Sequence, residues 1–455
     1  VQVLARAFPP RESTRGAFLR VRNAGVFHLF SYHDVMPAVT ALNDLENLCA
    51  CHECDLLQRK VPLAPGQRAR CRRCGALLYH SPGDTLDRTL AFALAAFILF
   101  AVANLFPILG LSIQGKHTET TLLGAVLELQ KQGMGMVAGL VLFTTVVVPA
   151  MELLGLMYVL LPLKLNKPVR GQAAVFRLIQ VLRPWGMVEV LMLGILVSLV
   201  KLAHMANIVP GWSLWLFGIF IFVMAATAAS LDSEEVWARL GQRYSRSMPR
   251  KSRAGVLSCH ACGLLSYASA ERLEPHCPRC GSVLHARKPN SINRCWSLLI
   301  AALILYIPAN VLPVMSTSSI IGAQVDTIMS GVVYLWVSGS WPLALLVFFA
   351  SVMVPLLKLM ALTLLLVTVQ TRSRWRPLDR TRLYRLTERV GRWSMVDIFV
   401  VTMLVALVDV RPLAAIQAGP GAIAFGAVVV LTMVAAMSFD PRLIWDPIQN
   451  NVHTR

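Results

Sequence analysis

The two halves of this chain repeat each other motif for motif, and in each half a paired-cysteine knuckle is followed by four apolar segments. The first knuckle sets Cys51-x2-Cys54 against Cys71-x2-Cys74, the second Cys259-x2-Cys262 against Cys277-x2-Cys280. Thirty positions past the last cysteine of each quartet stands an Asn-x-x-Pro, Asn104-Leu-Phe-Pro107 in one half and Asn310-Val-Leu-Pro313 in the other. The correspondence continues through Pro149 and Pro355, Trp185-Gly-Met-Val-Glu189 and Trp393-Ser-Met-Val-Asp397, Gly211 and Gly419, and Trp237 and Trp445. A unit of about 200 residues repeated once is far longer than a solenoid repeat and predicts a membrane body with pseudo-twofold symmetry.

Hydrophobic residues make up 56% of the chain and charged residues only 15%, which overrides the several soluble domains that length alone suggests. Eight stretches are apolar for about 18 residues or more, the length a bilayer core of about 30 Å demands. They run over about 88–112, 135–163, 186–204 and 212–231, then about 294–315, 341–369, 394–411 and 419–437, the third and seventh being marginal. The net charge of +19 invites a nucleic-acid reading, but its distribution argues otherwise. Arginines and lysines crowd the loops after the second and sixth spans and the linker Arg239 to Arg253, whereas 205–211 and 316–340 hold none. That asymmetry is a positive-inside signature, so both termini, both knuckles and both basic loops are expected in the cytosol, with no nucleic acid as partner. Leu383, Leu386, Val390 and Trp393 recur at helical spacing among the arginines, which predicts an amphipathic helix lying on the membrane.

Four thiolates presented by two Cys-x2-Cys turns can take the corners of a tetrahedron with no open position, and Gly75 and Gly281 follow the second pairs where such turns need them. Two structural zinc ions are expected on Cys51, Cys54, Cys71, Cys74 and on Cys259, Cys262, Cys277, Cys280, with iron or a redox-active dithiol as alternatives. Disulfides do not suit a reducing compartment. Cys49 could compete as a ligand through a register slip, and Cys295 reads as a small buried hydrophobe.

Ionisable residues inside the spans are the other candidates. Lys358 lies about 12 residues, or about 18 Å, from the cytosolic end of its span, too deep for easy snorkelling. Ser351 stands two turns earlier on the same helix, Ser394 and Asp397 enter the seventh span, and Thr432 lies at comparable depth in the eighth. An ionisable group at that depth costs at least about 2.5 kcal/mol and marks a functional site by default, the competing reading being a structural ion pair. The first half varies the chemistry: Glu152 matches Lys358, Glu189 matches Asp397 and Lys201 matches Asp409. Paired carboxylates there need Lys201, Arg183 or a proton, so coupling machinery is expected only in the second half. At Asn104 and Asn310 the nearby proline frees a carbonyl that asparagine or water must satisfy, either as a helix-end kink or as a binding-site discontinuity.

Cys-x2-Cys-Asp-Leu at the first knuckle, Ile307-Pro-Ala-Asn-Val-Leu-Pro313, Gly391-Arg-Trp-Ser-Met-Val-Asp397 and Ser438-Phe-Asp-Pro-Arg-Leu-Ile-Trp-Asp446 together resemble the paraquat-inducible protein A (PqiA) family. The resemblance runs from about Cys49 to Trp445, and the closing motif favours the PqiA branch over the related LetA. It implies a multi-pass subunit of a Gram-negative inner membrane working with a periplasmic MCE-domain protein, whose tunnel leads toward the outer membrane, and with phospholipid as cargo. It also implies that Ser351, Lys358, Ser394, Asp397 and Thr432 are the transport cluster, with Glu152, Glu189, Lys201 and Asn310 secondary. No Walker motif is present, so energy would come from a partner ATPase or an ion gradient, for which a buried Lys and Asp suit protons. The competing functions are a passive anchor for the MCE partner with a stress-response role, and a redox sensor; no enzymatic activity is expected.

The expected fold is thus an all-α polytopic membrane protein, a tandem repeat of a cytosolic four-cysteine zinc ribbon and a four-helix module. Its parts are a tail at 1–45 that precedes or contains the true start, ribbon 1 at 46–82, module 1 at 83–240, a basic linker at 241–257, ribbon 2 at 258–287, module 2 at 288–447 and a tail at 448–455.

Overall fold

A computed structural model describes residues 47–81, 85–113, 116–167, 169–202, 207–243, 256–267, 276–319, 322–407 and 414–449, together with 20–21, 45 and 409–410. Most of the N-terminal tail, most of the basic linker and the end of the C-terminal tail lie outside these residues, as does the side chain of Lys201.

The described residues contain eight helical stretches long and apolar enough to cross a membrane. In the first half these are α1 (Thr85–Leu105), α2 (Gly135–Lys164), a pair α3 (Gln172–Leu182) and α4 (Val188–Leu202), and α5 (Trp212–Ser230). A short helix α6 (Ser233–Arg243) closes that half. The second half repeats the order with α7 (Ser291–Val311), α8 (Ala344–Gln370), the pair α9 (Pro377–Val390) and α10 (Val396–Leu407), and α11 (Pro420–Ser438).

Alone, α4 and α10 reach only about 22 and 18 Å at helical rise, short of a bilayer core. In the second half α10 continues from α9 through the 3-10 turn Gly391–Met395, and in the first α4 follows α3 after the 3-10 turn Arg183–Trp185 and the extended Gly186, so the apolar stretches run over Gln172–Val200 and Pro377–Leu407. The helix expected on the membrane surface is therefore joined to the seventh span. Thr381, Tyr384 and Thr387 are buried while Leu386 and Trp393 face outward. The repeated Pro149 and Pro355 also find their reason. Each follows a π-helical turn, Phe143–Val147 or Phe349–Met353, in which the wider backbone spacing accommodates a residue that cannot donate to the helical ladder.

The two modules meet where α4 crosses α10. Gly194 permits the close approach, since a Cβ there would come within 2.7 Å of the Phe399 Cβ, and Ser198 Oγ reaches Val400 O at 3.4 Å across the seam. At the end of the spans remote from the knuckles, each half adds a small antiparallel sheet. In the first, Leu109–Ile113 lies between Lys116–Thr120 and Asn207–Pro210; in the second, Met315–Ser319 lies between Gly322–Asp326 and Ala414–Ala418. Thr120 Oγ1 donates to Ala406 O and Ala418 N to Gln132 Oε1, so the sheets are tied across the halves as well.

The duplicated glycines Gly211 and Gly419 start α5 and α11 beneath the Asn-x-x-Pro bends. A Cβ there would come within 2.1 Å of Pro107 O or 2.2 Å of Pro313 O. The bends correct one expectation. Asn104 and Asn310 donate to Phe100 O and Tyr306 O within their own helices, whereas the carbonyl facing Pro107, that of Ala103, is taken by Ser213 Oγ at 2.5 Å.

At the knuckle end the halves cross over. The first cysteine quartet packs in one apolar cluster with Leu365, Tyr384, Phe439 and Trp445 of the second half. The second quartet packs with Leu156, Phe176 and Trp237 of the first. Each ribbon thus serves as the floor of the other half's helices.

Candidate functional site: two cysteine centres and a polar cluster in the second half

Two groups of four buried cysteines, Cys51, Cys54, Cys71, Cys74 and Cys259, Cys262, Cys277, Cys280, bring their sulfurs within 4.8 Å of one another. The closest pairs stand 3.5 Å apart in both groups. Thiolates about 2.3 Å from a tetrahedral zinc ion would be about 3.8 Å apart, so the donor set and its size fit such an ion. Second-layer donors differ between the two. Gln58 Nε2 points at Cys71 Sγ at 3.2 Å, whereas Ser282 Oγ lies 3.1 and 3.0 Å from the sulfurs of Cys259 and Cys280. After each Cys-x2-Cys pair the chain turns with positive φ, at Asp55, Gly75, Gly263 and Gly281, which returns an N–H to the carbonyl of the first cysteine. Cys49 lies outside the quartet on the strand Leu48–Ala50, opposite Gln58. Cys295 packs in the core and donates to Ala435 O.

Ribbon 1 is clamped to the second half by charge. Arg385 of α9 donates from Nε to both Glu53 carboxylate oxygens at 2.9 and 2.8 Å, and its Nη2 reaches the Cys74 carbonyl at 2.7 Å. Arg287 bridges Asp55 of the first knuckle and Asp446, at 2.6 and 2.7 Å. Burial works against the Arg287 cation, but hydrogen bonds to Asp446 and Asp55 hold its ionisation above the usual range. Arg73 stacks over Trp445 at 4.7 Å. The position matching Glu53 in ribbon 2 is Ala261, so the second ribbon lacks the carboxylate half of that clamp.

Of the polar candidates inside the spans, Ser351, Lys358, Ser394 and Thr432 are all buried, and Lys358 is 4% exposed. Ser351 lies on the π turn of α8 and donates to Val347 O; Thr432 donates to Val429 O within α11. The 3-10 turn Gly391–Met395 packs against α8 and α11 and gathers these elements. Ser394 Oγ donates to Gly391 O at 2.8 Å, and a Cβ on Gly391 would sit 2.9 Å from Lys358 Nζ and 3.1 Å from its Cε. The lysine head thus occupies space that only glycine leaves, and among the described residues its buried Nζ has no hydrogen-bond partner. Asp397 follows two residues after this turn, at the start of α10. Asn310 belongs to the far end of α7, apart from this group.

The first half solves the matching position differently. Glu152 is buried and its Oε1 lies 3.8 Å from Nε of Arg183, the residue that corresponds to Gly391. Glu189 is exposed. The expected pair of mutually repelling carboxylates therefore does not form; one carboxylate has an arginine and the other faces outward. Gly391 was not singled out in the sequence, although the exchange of arginine for glycine between the aligned halves was its signal.

The family model described as paraquat-inducible protein A matches residues 86–241 and again 292–449. This chain belongs to the PqiA family. Among the relatives of this PqiA-family chain, the intermembrane transport protein PqiA of Escherichia coli is 35% identical over 409 residues, covering 89% of this chain and 96% of the relative. The lipophilic envelope-spanning tunnel protein A of Escherichia coli is 30% identical over 397 residues, covering 87% and 90%. A probable intermembrane transport protein of Haemophilus influenzae is 28% identical over 419 residues, covering 90% and 98%. No solved structure matches the chain. The doubled match of the PqiA model over two helical regions agrees with the tandem repeat, and the chain is a multi-pass membrane protein of a family whose relatives are named for transport rather than for catalysis.

Proposed function

We propose that this chain is the inner-membrane subunit of an intermembrane lipid transport system, handing phospholipid between the inner membrane and a periplasmic MCE-domain partner whose tunnel leads toward the outer membrane. The names of the relatives support transport between membranes, and the distribution of arginine supports cytosolic ribbons and termini. One observation carries the placement of the machinery in the second module: a buried ammonium, Lys358, sits in the space left by Gly391 with no hydrogen-bond partner among the described residues, against the 3-10 turn that holds Ser394 and ends two residues before Asp397. A charge kept in that state at mid-span costs stability and persists where it is used.

In this reading Ser351, Lys358, Ser394, Asp397 and Thr432 line the step at which a headgroup passes. A proton shared between Lys358 and Asp397 switches the cluster between two charge states, which couples passage to the proton gradient. Glu152 and Arg183 form the static counterpart in the first module. Zinc in each ribbon supplies folding energy to the knuckle and no chemistry, since four cysteine ligands leave no open position.

The second reading, a passive anchor for the MCE partner, is favoured by the tight α4–α10 seam and the crossed ribbons, which suit a rigid platform. Lys358→Ala separates the two: a transporter keeps expression and partner binding but fails to complement a deletion strain, and an anchor complements normally.

A further inference from the structure

The bend between α8 and α9 encloses a cation that the transport reading leaves unused. Arg380 is 2% exposed, and its Nη2 donates to Ser373 O at 2.8 Å. Its Nε and Nη1 are buried and meet no acceptor. Helical side chains lean toward the N-terminus, and the bond to Ser373 carries this guanidinium back over the first turn of α9. That turn has no side-chain cap, so the N–H groups of Leu378 and Asp379 are open to an anion, Pro377 having none. The only acid between Thr371 and Thr387 is Asp379, which is engaged at the surface by Arg376 and Arg382 at 3.8 and 3.3 Å. A guanidinium cannot shed its proton, and a buried charge left unpaired is strongly destabilising. Among the described residues none supplies that acceptor, and an anion from outside the chain would.

The other half supplies the contrast. Gln172 occupies the matching position, fully buried, and donates to Val159 O, while its Oε1 has no donor. The same position thus asks for a donor in the first half and for an acceptor facing a full positive charge in the second. Around Arg380 the outer surface carries Trp375, 58% exposed, and Leu378, 42% exposed, side chains suited to the boundary between headgroups and acyl chains.

We propose that Arg380 and the first turn of α9 form a binding site for a phosphate oxyanion, filled by the phosphodiester of a phospholipid in the leaflet on the ribbon side. Ser373, whose carbonyl holds Arg380, belongs to the largely exposed segment 372–376, so the anion enters as that segment lifts. The proposal deepens the transport reading by assigning the headgroup a holding site ahead of the Lys358 cluster, and it rests on that reading for its leaflet. Binding is nonetheless measurable without transport.

The experiment uses the full chain, delipidated in detergent, with retained and re-added lipid counted by native mass spectrometry. The probes are phosphatidylglycerol, diacylglycerol and inorganic phosphate. The expected result is one phosphatidylglycerol held about tenfold more tightly by the wild type than by Arg380→Gln, the scale of one lost charge-assisted hydrogen bond. Diacylglycerol shows no such difference. Should Arg380→Gln fail to fold, Arg374→Cys in the otherwise native chain takes its place: maleimide labelling slows several-fold with phosphatidylglycerol and not with diacylglycerol. Equal affinity in both proteins, or equal labelling with both lipids, overturns the site and leaves only enclosed water. Protection by millimolar phosphate equal to that by lipid overturns the lipid source and assigns the site to free phosphate. A chain that binds phosphatidylglycerol as expected but moves no lipid overturns the transport reading and leaves this site standing.

Discussion

Gly391→Ala is the substitution for which the structure makes the sharpest forecast. The added Cβ would lie 2.9 Å from Lys358 Nζ and 3.1 Å from Cε, against an ordinary contact of 3.4–4 Å. The ammonium must recede by about 0.5 Å or more, and because a lysine head is flexible the strain falls at the low end of the about 1–3 kcal/mol that overpacking costs. Gly391 adopts φ −56 and ψ −30, which alanine also favours, so a helical gain of about 0.5–1 kcal/mol offsets part of that. Net stability should change by no more than about 1–2 kcal/mol, while a group displaced from its working position by under about 1 Å can lose a hundredfold in rate. The expected outcome is a protein that inserts, binds two metal ions and melts near the wild type, yet transfers labelled phospholipid to the proposed MCE-domain partner at least about tenfold more slowly. The matched control is Gly186→Ala, where a Cβ meets nothing closer than 3.6 Å and activity should be retained. Wild-type transfer by Gly391→Ala, or an equal loss in Gly186→Ala, would refute the reasoning.

Metal analysis of the purified chain should return two zinc ions, and replacing Cys277 and Cys280 by serine should remove one while membrane insertion persists; iron, or no metal without chelator, contradicts this. A double-mutant cycle on Glu53 and Arg385 should give a coupling of about 1–2 kcal/mol in thermal stability, because the pair is partly buried and bidentate; additive single effects would mean that ribbon 1 is not held this way. Burial opposes the charge of Asp440, but hydrogen bonds from Arg442, its positive charge and the Lys288 N–H hold the carboxyl below the usual range. Its contribution is present above the ordinary aspartate pKa near about 4 and is lost as pH falls through the lowered value, so Asp440→Asn should flatten the acid limb of a melting-temperature profile, and an unchanged limb would exclude that role. Thiol labelling from the periplasm should reach cysteines placed at Ser318 or Asn207 and not at Arg376; labelling at Arg376 would reverse the proposed orientation.

The tandem repeat, the eight apolar stretches and the two cysteine quartets were legible because each is written in local spacing: hydrophobic length for the helices, Cys-x2-Cys for the metal sites. The crossing of ribbons between halves was not legible. It depends on contacts such as Arg385 with Glu53 and Arg73 with Trp445, between residues hundreds of positions apart and chosen by tertiary packing. The small sheets beyond the spans were missed because Leu109–Ile113 and Met315–Ser319 are short and lack a strong β-branched pattern. On α9, helical periodicity was read correctly and Leu386 and Trp393 do face outward, but the polar content of the inward face was not legible, because Arg380, Thr381 and Thr387 are buried there by tertiary packing. Lys358 was found from depth alone; Gly391, which shapes its place, required the packing of the 3-10 turn against α8.

The most direct test of the central claim is phospholipid transfer by the double variant Lys358→Met with Asp397→Leu. Removing both charges together replaces a buried ammonium and a half-buried carboxylate by apolar groups of similar volume, which folding tolerates or favours. The account predicts a stably inserted, metal-loaded protein that still binds its MCE partner and transfers no lipid. Transfer at the wild-type rate would contradict it and leave the cluster with a purely structural part.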